Sequence, residues 1–232
     1  MATVPATPTG PRLVELLVAD APSAWADAGF HVADDRVVVG TVAFVLTGGA
    51  AGGASERGIT GWRLSGVDPA GVVDGRVDGL PTELVEADGT TPDTDAAPHP
   101  NGVVGLDHVV VSTPDLERTI GAFTATGLDL RRIRGTDETG TGLRQAFFRL
   151  GPTILEVVSG PEPSGRPAAQ APASWFGVAV DVADLDATAA LLGEGLGPVK
   201  AAVQLGRRIA TLRHKAFAMT VAVAAMDDGP SR

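Results

Sequence analysis

A chain of 232 residues, 44% of them hydrophobic, can form one large or two small packed domains and has ample material for a core. Its formal charge of −10 argues against nucleic-acid partners, whose phosphates it would repel. It contains no cysteine and no tyrosine. That excludes disulfides, thiolate nucleophiles, Cys-ligated zinc or iron–sulfur centres, and any phenol serving as acid, base or iron ligand.

No apolar run approaches the ~18 residues of a membrane span, so no membrane partner is expected. The start, Met1-Ala2-Thr3-Val4-Pro5, lacks the basic and apolar regions of a signal peptide, and a cytoplasmic location is expected. Residues 1–10 are polar and proline-rich and read as a frayed end. Residues 13–18 read as a strand. A helix start follows at Asp20-Ala21-Pro22, with proline just inside it, and Gly29 is its stop. Residues 37–46 give two further strands, or one bent at Gly40. Residues 48–58, rich in Gly, Ala and Ser, read as a loop. Residues 59–64 read as another opening strand and 82–86 as a last short one. The stretch 68–79 has too many Gly and Val for a helix.

Residues 88–104 are a linker by composition, and His99, between Pro98 and Pro100, reads as a solvated linker residue. The centre of the chain follows. Leu106-Asp107-His108-Val109-Val110-Val111 is a β-branched apolar run carrying one imidazole; Ile154-Leu155-Glu156-Val157-Val158 is a second carrying one carboxylate. Both groups are costly to bury without partners. Between them lie a helix signal at Thr113-Pro114-Asp115-Leu116, a stop at Gly127, and a strand at 144–149. Alternation puts Gln145, Phe147 and Arg149 on one face of that strand. Arg131, Arg132 and Arg134 could hold an anion, but a solvated edge strand kept from aggregating by its charges is the reading that prevails. After a second Pro/Ala/Gly-rich linker at 161–173, the pattern recurs. Ala183-Asp184-Leu185 matches Pro114-Asp115-Leu116, and Arg208-Ile209-Ala210-Thr211-Leu212-Arg213 matches Arg144-Gln145-Ala146-Phe147-Phe148-Arg149.

The order strand, helix, three strands is a βαβββ module. It resembles the module of the glyoxalase, bleomycin-resistance and extradiol-dioxygenase superfamily, also called vicinal oxygen chelate. The resemblance implies an α+β fold in which tandem modules close a cup-shaped sheet around a metal or ligand. It places a glyoxalase-like domain at 105–226, built from modules 105–160 and 173–226. Residues 10–87 then read as a smaller, degenerate copy, on whose strands Glu15 aligns with His108 and Val45 with Glu156. An unrelated β-rich cap is the other reading of that segment.

The resemblance implies that the first and last strands of each module can supply ligands, and His108 and Glu156 fall on those positions. In the last module the hand-aligned counterparts are Gly177 and Thr220. The site therefore has two donors, where a 2-His-1-carboxylate centre needs three and glyoxalase-type sites typically use four. Three readings stay open: a divalent metal (Mn, Zn, Ni or Fe) on His108 and Glu156, helped by water, substrate or Glu15; a metal-free acid–base or ligand-orienting pair in the cup; or a relic, the two satisfied by each other and by backbone groups. Gln145, Phe147 and Arg149 are the further ligand-binding candidates. His31 reads as a surface residue, His214 as part of a basic turn, and Lys200 and Gln204-Leu205-Gly206-Arg207-Arg208 as a charged rim. The expected partner is a small organic molecule bound in the cup, as in the bleomycin-resistance branch; a homodimer stays open. The alternative is a metal-dependent lyase, isomerase or dioxygenase. If the chain is an enzyme, the missing Tyr and the missing second His argue for a lyase or isomerase and against catechol ring cleavage.

Overall fold

The structure is a computed structural model that describes residues 10–48, 57–86, 97–135, 143–160 and 171–229. Most of the expected loop 48–58, of both linkers and of the N-terminal end lies outside those residues. Six strands form the first sheet: β1 (Arg12–Val18), β2 (Arg36–Val39), β3 (Val42–Leu46), β4 (Ile59–Ser65), β5 (Arg76–Val77) and β6 (Leu80–Leu84), in the order β2-β3-β1-β4-β6-β5. Eight form the second: β7 (Val103–Ser112), β8 (Asp129–Arg134), β9 (Arg144–Leu150), β10 (Thr153–Ser159), β11 (Ser174–Val182), β12 (Lys200–Ala201), β13 (Arg207–Thr211) and β14 (Ala222–Asp228). Their order is β12-β13-β14-β11-β7-β10-β9-β8.

Both sheets are built on one plan. An antiparallel central pair, β1 with β4 or β7 with β11, is flanked on each side by a parallel neighbour. The larger sheet is two βαβββ modules related by a pseudo-twofold axis, with Val109 and Val178 facing each other across it. The first sheet is a smaller version of the same α+β arrangement. Its second helix position holds only a 3-10 turn, Pro69–Gly71, in the segment whose glycines and valines disfavour a helix. Gly71 is needed there: a Cβ would lie 2.5 Å from the Thr126 backbone nitrogen.

Helices α1 (Pro22–Asp27), α2 (Leu116–Ala125) and α3 (Leu185–Leu192) follow the opening strands of the other three modules. The repeated Asp-Leu signal is a repeated N-cap. Asp115 accepts from the Arg118 N–H, and Asp184 from the Asp186 and Ala187 N–H groups, satisfying otherwise orphaned donors. Helix α2 buries Leu116 and Phe123, and the Phe123 ring meets Phe148 of β9 edge-on at 5.6 Å. That contact fixes the faces of the sheet. Leu106, Val109, Val111, Ala146, Phe148, Leu155 and Val157 are buried beneath the helix, so their alternates line the opposite, concave face. No helix among the described residues is long and apolar enough to cross a membrane.

The two sheets are tied by polar and aromatic contacts. Buried Asp20 accepts from Trp25 Nε1 and from both the backbone N–H and the hydroxyl of Thr220. Asp78 accepts from Arg118 Nε at 2.8 Å and from the Thr119 hydroxyl. His99 does not behave as a solvated linker residue. Its Nδ1 accepts the His31 backbone N–H at 2.9 Å and its Nε2 lies 2.9 Å from the Val38 carbonyl, so the two prolines present the ring to main-chain groups. These bonds require a neutral ring with the proton on Nε2. Burial pushes its pKa below the usual value, against the Val38 hydrogen bond and with help from His31. The unfolded chain takes up this proton near pH ~6.5 whereas the folded site resists it. Its contribution is therefore present above that pH and lost as pH falls below it. Chemical denaturation of wild type and His99→Gln should show wild type more stable at pH 7.5 and the gap narrowing at pH 5.5. A gap that widens on acidification would contradict this assignment.

Candidate functional site

The concave face of the eight-stranded sheet brings His108 and Glu156 together. His108 stands in register with Ile154, and Glu156 with Val110 on one side and Phe147 on the other, so the two side chains meet diagonally. His108 Nε2 lies 3.5 Å from Glu156 Oε2, and both side chains are largely buried. Gln145 donates its amide to Glu156 Oε1 at 2.5 Å, fixing the carboxylate. The pair lines a cavity of about 180 Å³ with Phe147, Ile154, Asp107, Gln204 and two arginines, Arg132 and Arg134.

Behind the imidazole lies a charged chain that alternation does not foresee. The β7–β11 register shifts between Leu106 and His108, so Asp107 sits in a bulge. Instead of pointing away, its carboxylate meets its neighbour's ring, Oδ1 to Nδ1 at 2.6 Å. The other oxygen accepts from Arg207 Nη1 at 2.5 Å, and Arg207 Nη2 donates to Asp181 on β11. Burial pushes Asp107 up, but hydrogen bonds from His108 and Arg207 outweigh it and hold the acid below the usual carboxylate range. Asp181 is raised, by burial and by the nearby Asp107 charge. An ionised Asp107 only accepts, so the proton of a neutral His108 ring sits on Nδ1. Nε2 then offers a lone pair toward Glu156. Two acceptors then face each other, an arrangement that a donor placed between them would satisfy.

The other expected residues divide clearly. Gln145 and Phe147 stand on the His108 face; Arg149 shares that face but is exposed and does not line the cavity. Arg131 pairs with Asp129 on the exposed edge, whereas Arg132 and Arg134 face the cavity, with the Arg134 guanidinium 5.4 Å from the Phe147 ring. Glu15 does not join the pair. It lies in the first sheet, where burial raises it but Arg36 and Arg63 bring its pKa down, Arg63 Nη1 at 2.5 Å. His31 is half-buried and meets His99 through its main chain, and His214 begins the 3-10 turn His214–Phe217. Lys200 is exposed on an edge strand, as a rim residue would be. Arg207 is not rim: it reaches inward to Asp107.

The pseudo-twofold axis shows what the last module contributes in return. Gly177 occupies the place of His108, as the sequence repeat suggests. The place of Glu156 falls to Ala224, not Thr220, because the turn His214–Phe217 lengthens the β13–β14 connection and defeats a constant offset. At these two positions the last module presents small residues, Gly177 and Ala224.

A profile of the glyoxalase-like domain matches residues 106–230, more than half of the chain. The chain belongs to the glyoxalase-like domain family. Among solved structures, this glyoxalase-like protein is similar to a variant of 4-hydroxymandelate synthase from Streptomyces coelicolor. The two share 17% identity over 97% of this chain and 94% of that one, with a TM-score of 0.60. It also resembles a xylose isomerase-like TIM barrel/4-hydroxyphenylpyruvate dioxygenase fusion protein, at 13% identity over 95% of this chain and 49% of the other, TM-score 0.60. A methylmalonyl-CoA epimerase from Mycobacterium tuberculosis matches at 22% identity, covering 56% of this chain and 91% of that one, TM-score 0.43. Likeness at these identities concerns the fold. No curated protein matches the chain.

The superfamily's chelate chemistry gives a test of fit. Among the described residues no three His, Cys, Asp or Glu side chains gather as a metal site. His108 and Glu156 supply two donors, Gln145 occupies one carboxylate oxygen, and the symmetry-related positions are Gly177 and Ala224. The donor set does not fit a resident metal held by three or four protein ligands.

Proposed function

We propose that the cup of the glyoxalase-like domain binds a small organic anion, which meets His108 and Glu156 with its polar group and Arg132 and Arg134 with its charge. The observation that supports this most is the convergence of His108 Nε2 and Glu156 Oε2 in a cavity whose far wall carries two arginines. The acceptor pair favours a ligand with an O–H, N–H or acidic C–H, and the arginines favour a carboxylate within a chain of strongly negative charge. Phe147 supplies an apolar floor beside them. If the bound molecule reacts, the class that suits the pair is proton transfer at a carbon or oxygen acid, with Glu156 and His108 sharing the proton. The six-stranded half, residues 10–87, is read as a reduced copy whose acidic position, Glu15, is closed by Arg36 and Arg63.

Thermal unfolding tests this reading with benzoate, pyruvate and malonate as probes, and separately with Mn²⁺, Zn²⁺ and Ni²⁺. A carboxylate at ten times its Kd adds about 1.4 kcal/mol, or roughly 3–6 °C for a chain of this size. Wild type should gain that stabilisation, and His108→Ala and Glu156→Gln should lose it. A rise with metal ions alone, abolished by the same substitutions, would replace the reading with a chelate site.

A further inference from the structure

The last module has small residues where the central one has His108 and Glu156, yet its charged side chains reach the site. We propose that Arg207 is a positioning residue: it holds Asp107 against His108 Nδ1, and thereby fixes which ring nitrogen and which ring edge face the cup. The inference rests on the reading of His108 as the cup's functional imidazole.

Three observations carry it. First, neighbouring strand residues normally point to opposite faces; Asp107 meets the ring only because the β7 bulge turns it there. A bulged acid has no ladder contact to hold its direction, so something else must. Second, Arg207 starts β13, and β14 and β11 lie between it and β7. Its guanidinium crosses them to reach Asp107 Oδ2, with the second arm on Asp181 and Nε 3.3 Å from Asp228 Oδ1. The fork fixes the direction of the Asp107 carboxylate as a single charge on a flexible stem would not. Third, the link is shielded: the Arg207 and Asp107 side chains are each only 18% exposed. The Arg207 guanidinium also helps to keep Asp107 ionised, so that it accepts the Nδ1 proton.

A salt bridge that merely braced the sheet would leave the imidazole tautomer unchanged, so the tautomer is the readout. Ring ¹⁵N spectra of the ligand-free protein distinguish Nδ1–H from Nε2–H imidazole once the spectrum shows the neutral ring, and the chain has only four histidines to assign. Wild type should show His108 mainly as Nδ1–H. In Arg207→Gln that form should lose its majority, and in Arg207→Lys it should fall part of the way. Arg208→Gln, which removes ion pairs to Asp186 and Asp227 away from the ring, should leave it unchanged. An Arg207→Gln protein that folds and keeps the wild-type tautomer overturns the proposal. If that variant does not fold, Arg207→Lys decides, and a wild-type Nδ1–H population there is equally fatal. Adding benzoate afterwards separates the two ideas. A tautomer set by Arg207 without benzoate binding would leave positioning intact and remove the ligand reading, and the reverse pattern would do the opposite.

Discussion

Trp62→Ala is expected to be among the most damaging single changes in the protein, costing ~3–5 kcal/mol. Trp62 is fully buried on β4, and both of its aromatic partners lie in the other half of the molecule. Its ring meets Trp175 of β11 edge-on at 4.9 Å and Phe123 of α2 at 5.9 Å, while Nε1 donates to the Thr82 hydroxyl at 2.7 Å. Truncation empties the space in which the two halves meet and strips Thr82 of its donor. Urea unfolding should show a much lower midpoint. The loss should also uncouple the halves, so that fluorescence of Trp25, in helix α1 of the first half, and of Trp175, in the second sheet, no longer changes in one transition. A variant that keeps the wild-type midpoint would mean that the sheets are not joined through this cluster.

Gly177→Ala is expected to cost about 1–3 kcal/mol, a large effect for one added methyl group. A Cβ at Gly177 would stand 2.3 Å from the Ala222 carbonyl oxygen and 2.9 Å from the Ala222 Cβ, so β14 would have to move. The consequence for function is larger than the stability loss. Gly177 is the position from which a second imidazole would enter the cup, and the backbone of β14 closes it. Gly177→His should therefore fold poorly and gain no metal-dependent stabilisation, measured by thermal unfolding with and without Zn²⁺. A well-folded Gly177→His protein that binds zinc would show that the last module merely lost a ligand and kept the room for it.

Much of this fold is legible in the sequence because it repeats. The Asp115 and Asp184 caps and the paired Arg-x-Ala-x-x-Arg strands mark the same places in successive modules, and the two apolar runs carrying His108 and Glu156 mark the first and last strands of the central one. Local rules are enough to put Gln145, Phe147 and Arg149 on one face of their strand, since a regular strand alternates. They fail where a strand is irregular. Nothing in Leu106-Asp107-His108 announces a bulge, so alternation sends Asp107 away from the ring it in fact touches. Arg207 is 100 residues from Asp107, and only the strand order brings the two together. The same limit explains Thr220 standing in for Ala224, where one extra 3-10 turn shifts the repeat. It also explains His99, whose flanking prolines suggest a linker although both ring nitrogens meet main-chain groups. Glu15 sits at the analogous strand position, but two arginines that only the folded first sheet assembles have claimed it.

His108 and Glu156 are proposed as a ligand-binding pair in the cup of the eight-stranded sheet. The most direct measurement is titration of the four histidine ring signals by NMR, in wild type and Glu156→Gln, with benzoate, pyruvate and malonate. At least one carboxylate should shift the His108 ring resonances saturably while those of His31, His99 and His214 stay in place, and Glu156→Gln should weaken the response at least several-fold. Saturable binding that leaves the His108 ring unmoved, or no response to any carboxylate, would contradict the proposal.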